Sequence, residues 1–511
     1  MKILLAAAVL LTGSVDAGGD MGRNAGGTVA GAAGGAVVTT DAGAVRGKVS
    51  GDVRIFSGIR YATAARWEAP KPAAPWTGVK DATKPGSPCP QVGADYAKIT
   101  SEDEDCLFLN VTTPARRGTK RPVMVWIHGD GAVGAGHYSD TRTLAREGGA
   151  VVVTINYRLG VFGGFGYPGL RNSGTFGLQD QQEALRWVRR NAAAFGGDPG
   201  NVTVFGVSYG ASAIGGHLTS PGAEGLFHKA VLQSGEAMMD MPAGSMLPGL
   251  PAAPYMLWRS TAEVEETGKV FAAQLGCAGL DCLRKLPVKK ILAVPQIMNA
   301  FQGLAYGNEV LPEVPAKSIA AGRFHRVPVL AGATKDEHRL FAAMRGKISY
   351  PDVLKETFGE RAGAVAKEYP LERYGHPSVA WGAVMTDRLW AVSTHAQNTA
   401  LAKRVPVYAY EFADRDAPMF LDVPADFDLG AYHAGDLPYL FPGEKEKLSP
   451  AQWKLSGQMV AYWTNFARTG DPNGKGLPAW PRLGKGGTLS LEPGKIRPID
   501  YAAGHRLDFW N

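Results

Sequence analysis

Apolar residues in this chain gather in short runs with little polar alternation, separated by glycine- and proline-rich punctuation. Residues 122–127 (PVMVWI), 150–155 (AVVVTI) and 202–205 (VTVF) are of this kind, and 106–111 (CLFLNV) is a weaker example. Such runs are buried on both faces, which predicts strands of a parallel sheet. Residues 230–232, 327–331 and 405–410 extend the same series. Between the third and fourth runs the period changes. Ala184, Leu185, Val188 and Ala192 recur at helical spacing over 179–195, and Gly196-Gly197 closes the segment with C-cap chemistry. Strand, helix, strand in that order predicts a crossover unit. Nearer the start, residues 37–61 alternate apolar and polar positions between glycine turns, predicting an antiparallel edge. Residues 70–90 are proline-rich without helical period and predict a surface loop. Residues 236–317 hold no strand run and predict a helical excursion, a usual way to shape a substrate entrance. The predicted class is α/β: a mostly parallel central sheet flanked by helices.

The run at 202–205 leads into Gly206-Val207-Ser208-Tyr209-Gly210, and a small-residue stretch follows at 211–216. Strand, sharp turn and helix around Gly-x-Ser-x-Gly form a nucleophile elbow, in which a strained serine is lifted above the sheet edge. In a chain with 66 glycines the pentapeptide alone carries little weight; its flanks supply the rest. A serine nucleophile needs a base, an acid to orient the base, and donors for the oxyanion. In the order serine, acid, base, the acid belongs after a late strand. Asp336 and Glu337 both stand there, just beyond 327–331. Three histidines are placed to be the base. His395 falls in the apparent helix 389–403, and His505 in an irregular tail. His433 lies in the glycine-containing loop 430–436 and is the best placed. For the oxyanion, Ile127-His128-Gly129-Asp130-Gly131 is a turn directly after a buried strand, where small residues let main-chain N–H groups face a developing charge.

Length and composition narrow the field. The chain has 511 residues, 45% hydrophobic and 20% charged, as in a globular protein. A net charge of +7 spread over that length, with no basic tail and no zinc spacing, argues against nucleic-acid binding. No internal run reaches the roughly 18 apolar residues of a membrane span. Met1-Lys2, an apolar stretch and the site Val15-Asp16-Ala17 read as a signal peptide over 1–17, followed by a Gly/Ala-rich leader over 18–35 and one domain over 36–511. Four cysteines, Cys89, Cys106, Cys277 and Cys282, then suggest two disulfides in a secreted or periplasmic protein. Three pairings are open, and nearest-neighbour pairing is the simplest.

Together these residues carry a family likeness. The chain resembles the type-B carboxylesterases, the α/β-hydrolase branch that includes para-nitrobenzyl esterases and cholinesterases. The likeness runs from about Val37 to Trp510. Its markers include Glu104-Asp105-Cys106-Leu107, Asn156-Tyr157-Arg158-Leu159-Gly160, Gly177-Leu178-Gln179-Asp180-Gln181, Phe195-Gly196-Gly197-Asp198-Pro199 and Tyr462-Trp463-Thr464-Asn465-Phe466. The resemblance implies Ser208 as nucleophile, His433 as base and, from the motif Lys-Asp-Glu, Glu337 rather than Asp336 as acid. It implies oxyanion donors from the N–H groups of Asp130, Gly131 and Tyr209. It also implies the disulfides Cys89–Cys106 and Cys277–Cys282, a buried Arg158–Asp180 ion pair, and no cofactor or metal.

Departures from the family pattern bear on substrate. Val207 stands where an acid usually precedes the serine, and Tyr209 where alanine follows it. Asp130 replaces a glycine of the oxyanion turn, where its carboxylate would oppose the developing charge if it pointed inward, and Ala132 replaces a larger residue. The first cysteine loop holds Tyr96 and no tryptophan, so a cage for a quaternary ammonium is missing. The expected activity is hydrolysis of small-molecule carboxylic esters through an acyl-enzyme, with neutral aromatic or medium-chain esters favoured. Two rival readings are a catalytically silent binding or adhesion protein on the same fold, and a serine hydrolase of lactones, carbamates or amides.

Overall fold

The computed structural model describes residues 36–94, 98–116, 118–443 and 448–510. The expected signal peptide, the leader and Tyr96 lie outside the described residues. Eleven strands form the main sheet: β1 (Lys48–Ser50), β2 (Val53–Arg60), β3 (Phe108–Pro114), β4 (Arg121–Ile127), β5 (Val151–Ile155), β6 (Gly197–Val207), β7 (Lys229–Gln233), β8 (Val329–Thr334), β9 (Val407–Phe412), β10 (Thr488–Leu491) and β11 (Arg497–Ile499). Their spatial order is β11-β10-β9-β8-β7-β6-β4-β5-β3-β2-β1. Pairing is parallel from β5 through β10 and antiparallel at both flanks.

The unbroken apolar runs have the cause expected of them. Along β4, Val123, Val125 and Ile127 join one core, whereas Met124 and Trp126 join another on the opposite face. Residues two apart share a face, so a strand wetted on neither side is apolar throughout. The crossover helix α1 (Phe176–Asn191) and its closing turn Ala192–Phe195 end at Gly196, φ 89°. Arg158, just after β5, is fastened to Asp180 of α1 by two 2.8 Å bonds from its guanidinium, both partners being buried. Removing either member would strand a buried charge at a cost of about 3–5 kcal/mol. The disulfides are Cys89–Cys106 and Cys277–Cys282.

Three expectations need correction. The run 106–111, read as a strand of the parallel sheet, becomes β3 and pairs antiparallel with both β5 and β2, since burial on both faces does not by itself fix strand direction. Val37–Thr39 and Ala44–Arg46 do not lie on the main sheet; with Val79–Asp81, from the segment expected to be loop, they make a separate three-stranded sheet. Only the β1–β2 hairpin forms the edge of the main sheet. The excursion 236–317 is mainly short helices, but it also holds two parallel strands, Trp258–Ser260 and Leu304–Tyr306. Three residues are too few to display an alternation, and the partners are some forty residues apart, so neither hydrophobic periodicity nor a turn signal marks them. A third core, with Met239, Tyr350, Trp381, Met385, Trp390 and Trp510, packs the helical lobe above the sheet. Among the described residues no helix is long and apolar enough to cross a membrane.

Candidate active site

Ser208 joins β6 to helix α2 (Tyr209–Thr219) with φ 54° and ψ −124°, a conformation that non-glycine residues rarely adopt. Neighbours on both sides hold it there. Its N–H donates to the Gln233 carbonyl of β7 at 2.8 Å, and its own carbonyl accepts from Ser212 at 3.0 Å. Gly210 lets the first turn of α2 run against β4: a Cβ there would lie 2.1 Å from the Ile127 carbonyl oxygen.

The residues expected as acid and base come from the turn after β8 and from the loop 413–436 that follows β9. Glu337 follows β8 and is fully buried. Its Oε1 accepts from the Thr334 N–H and its Oε2 sits 2.6 Å from His433 Nδ1. Asp336 points elsewhere. It binds Arg415 (2.8 Å), Arg339 (3.0 Å) and the Ala431 N–H (3.1 Å), so it ties the His433 loop in place from behind. Of the two carboxylates the sequence leaves open, only Glu337 touches the imidazole. With Nδ1 taken up by Glu337, Nε2 is the nitrogen left to exchange a proton.

The other two histidine candidates are placed away from this pair. His395 lies on the helix Val392–Ala402, which a π-helical turn over Thr386–Ala391 precedes. His505, between two one-turn helices, spends both ring nitrogens on buried carboxylates: Asp387 at 2.6 Å and Glu411 at 2.7 Å. Burial works against its charge, but the two carboxylates outweigh burial and push its pKa up to about 9. Such an imidazolium is a structural cation rather than a base.

At the oxyanion turn, Asp130 has φ 74° and the Gly131 N–H reaches back to the Gly129 carbonyl at 3.2 Å, a three-residue turn. The Asp130 carboxylate accepts from the N–H groups of Ala132 (2.8 Å) and Val133 (3.1 Å). Both bonds fall on its Oδ1, which the Gln302 side-chain amide also approaches at 3.5 Å. The Tyr209 N–H belongs to the first turn of α2, where the helix itself uses none of the first N–H groups. The Tyr209 ring covers Gly131, whose added Cβ would be 2.7 Å from the ring, and lies parallel to Tyr157 at 6.4 Å. Tyr157 in turn stacks on His128 at 4.5 Å, and burial lowers the His128 pKa to about 4, so this ring stack is uncharged at neutral pH.

Three further residues around His433 are not singled out in the sequence. Phe341 and Trp390 pack against His433, at 5.0 and 4.8 Å between ring centroids. Asp436 accepts from Gln233 and from the Tyr410 hydroxyl, both at 2.9 Å, and so pins the His433 loop to β7 and β9. Of these, only Asp436 had a signal, as the end of the loop motif 430–436; Phe341 and Trp390 come from helices whose aromatic residues look like ordinary core.

Known proteins share this architecture. The description "Carboxylesterase family" matches residues 34–510. The para-nitrobenzyl esterase of Bacillus subtilis (strain 168) is 33% identical over 457 residues, covering 85% of this chain and 90% of that protein. An acylcarnitine hydrolase of Rattus norvegicus is 33% identical over 510 residues, covering 90% and 86%. A solved thermophilic PNB esterase superposes with a TM-score of 0.76 at 32% identity, covering 92% of this chain and 99% of that one. With the family match spanning nearly the whole described fold, the chain belongs to the carboxylesterase family and is a carboxylic ester hydrolase with the α/β-hydrolase fold.

Proposed function

We propose that Ser208 is the nucleophile, His433 the general base and Glu337 its orienting acid. The observation that carries this reading is the 2.6 Å His433–Glu337 pair, set at the same end of the sheet as the strained Ser208 turn. As Ser208 Oγ attacks the ester carbonyl carbon, His433 Nε2 takes the hydroxyl proton. Glu337 holds the resulting imidazolium. The C–O bond to the alcohol breaks as His433 returns the proton to it, leaving an acyl-serine. Water then repeats the sequence and frees the acid. The oxyanion is received by the N–H groups of Tyr209, Asp130 and Gly131, the last exchanging its 3.2 Å bond to Gly129 for the substrate oxygen.

The favoured substrates are neutral esters with an aromatic or medium-length acyl or alcohol part. Phe341, Trp390 and Tyr209 surround the reacting groups with rings, and Val207 leaves no carboxylate beside the serine to hold a cation. We also place the mature protein in a secreted or periplasmic compartment, since its disulfides persist under oxidising conditions. N-terminal sequencing of exported protein should start near Gly18; an intact Met1 there would refute cleavage.

Stoichiometric labelling with a fluorophosphonate, followed by peptide mapping, tests the nucleophile. One label per chain on Ser208, and loss of both label and turnover in Ser208→Ala, is expected. Turnover that survives the substitution would remove Ser208 from the mechanism.

A further inference from the structure

Behind the proposed triad lies a carboxyl group that the mechanism above does not use. Glu236 follows Gly235, which is pressed so closely on the elbow that a Cβ at 235 would lie 2.1 Å from the Ser208 carbonyl oxygen. Glu236 is 3% exposed. Its Oε1 accepts one hydrogen bond, from the Thr394 hydroxyl at 2.7 Å, and its Oε2 is buried without a partner. The titratable groups that face it are Glu337 in the turn after β8, Tyr410 of β9 and Tyr501 in the C-terminal segment. None of these is a cation. A carboxylate with one side-chain donor besides its own main-chain N–H, an orphaned oxygen and a second carboxylate for a neighbour is costly to ionise.

We propose that Glu236 is a positioning residue that keeps a proton beside Glu337, limiting the buried negative charge there to one and so leaving His433 free to accept the Ser208 proton at neutral pH. The proposal rests on the Ser208–His433–Glu337 reading. Burial chiefly raises the Glu236 pKa, the Thr394 hydroxyl and the main-chain N–H of Glu236 itself pull it partly back, and the charge on Glu337 raises it, the balance lying at about 8. Below that pH Glu236 is a neutral hydrogen-bonding group. Above it, a second carboxylate faces Glu337 and favours the imidazolium that forms in the transition state. Val207 stands where the family usually has an acid, so in this chain the second carboxyl approaches the triad from the strand after the elbow.

The test is the pH dependence of kcat/KM for a neutral ester in the full-length enzyme. The wild type should rise once on the acid side. It should rise again, roughly two- to tenfold, around pH 8 as Glu236 ionises. Glu236→Gln, a neutral isostere, should keep the first rise and lack the second. Thr394→Val removes the donor that favours the ionised form, and should move the second rise to higher pH. A wild type without a second rise, or Glu236→Gln that retains it, overturns the proposal; if Glu236→Gln fails to fold, an unmoved rise in Thr394→Val does the same. Fluorophosphonate labelling separates this from the underlying reading. An unlabelled Ser208 would sink the nucleophile assignment whatever the pH profile, whereas a labelled Ser208 without a Glu236-dependent rise would sink only the role of Glu236.

Discussion

At the residue scale, the departure that most threatens catalysis is Asp130 in the oxyanion turn, and its geometry argues that it is harmless. A φ of 74° is a cost for any residue with a Cβ, smaller for Asp than for most. Two hydrogen bonds that the carboxylate accepts from the Ala132 and Val133 N–H groups offset it, at about 0.5–1.5 kcal/mol each. Asp130→Gly should therefore relieve the backbone and lose the two bonds, leaving kcat/KM within about threefold of wild type because Oδ1 of the carboxylate is held by the chain that follows it. Pre-steady-state acylation of a chromogenic ester measures this. A rise beyond tenfold would show that the carboxylate opposes the oxyanion. The sequence marks Asp130 as a departure that opposes the oxyanion if its carboxylate points inward; where it points is decided by the Ala132 and Val133 N–H groups. Glu236 is the opposite case. Its carboxyl sits in the run Gln233-Ser234-Gly235-Glu236 with no partner at any short spacing, since Thr394 and Glu337 are 158 and 101 positions away. A residue whose meaning comes only from folding is invisible to spacing.

At the element scale, the legible features are those that local physics repeats. Buried strands, the crossover helix and the elbow all follow from runs, period and glycines, and all occur where expected with ends displaced by a few residues. Segments of three or four residues escaped, because their pairing partner and not their own sequence decides them. The elbow shows how tightly an element can constrain a site. β4, β6 and α2 meet at Gly210, with 2.1 Å between a hypothetical Cβ and the Ile127 carbonyl oxygen and 2.6 Å to that of His128. Gly210→Ala must push α2 away from β4, carrying the Tyr209 N–H and Ser208 with it. Displacement of about 1 Å in a reacting constellation costs on the order of 100-fold in rate. Gly210→Ala should thus lose at least that much in kcat/KM while its stability in urea denaturation falls only as an overpacked core residue requires, about 1–3 kcal/mol. Wild-type turnover in that variant would mean that the helix can shift without disturbing the site.

At the scale of the whole molecule, the question is what holds the helical lobe onto the sheet, and the last residues of the chain supply an answer that the sequence concealed. His505, read there as part of an irregular tail, bridges Asp387 in the π-helical turn of the lobe and Glu411 on strand β9 of the main sheet. Arg506 adds a second contact to Asp387 at 3.1 Å, Lys335 binds the far oxygen of Glu411 at 2.9 Å, and Trp510 donates to the Tyr369 hydroxyl at 2.9 Å within the lobe's own core. The tail is a clamp across the structure, and its centre is a charged imidazole. Folding raises the His505 pKa to about 9, against roughly 6.5 in the unfolded chain. The stability this contributes is therefore complete below about pH 6.5 and is lost as pH rises towards 9. A shift of that size corresponds to roughly 3 kcal/mol. Glu236, whose folded pKa is also raised, slopes stability downward with pH up to about 8 as well, so the wild-type curve alone does not isolate the clamp. His505→Gln does. It leaves Asp387 and Glu411 without their bridge, so it should be less stable than wild type at pH 6, and the gap should close by roughly 3 kcal/mol between pH 6.5 and 9.5 in urea denaturation. A gap that stays constant across that range would mean that His505 is not charged in the folded protein, and that packing alone seats the tail.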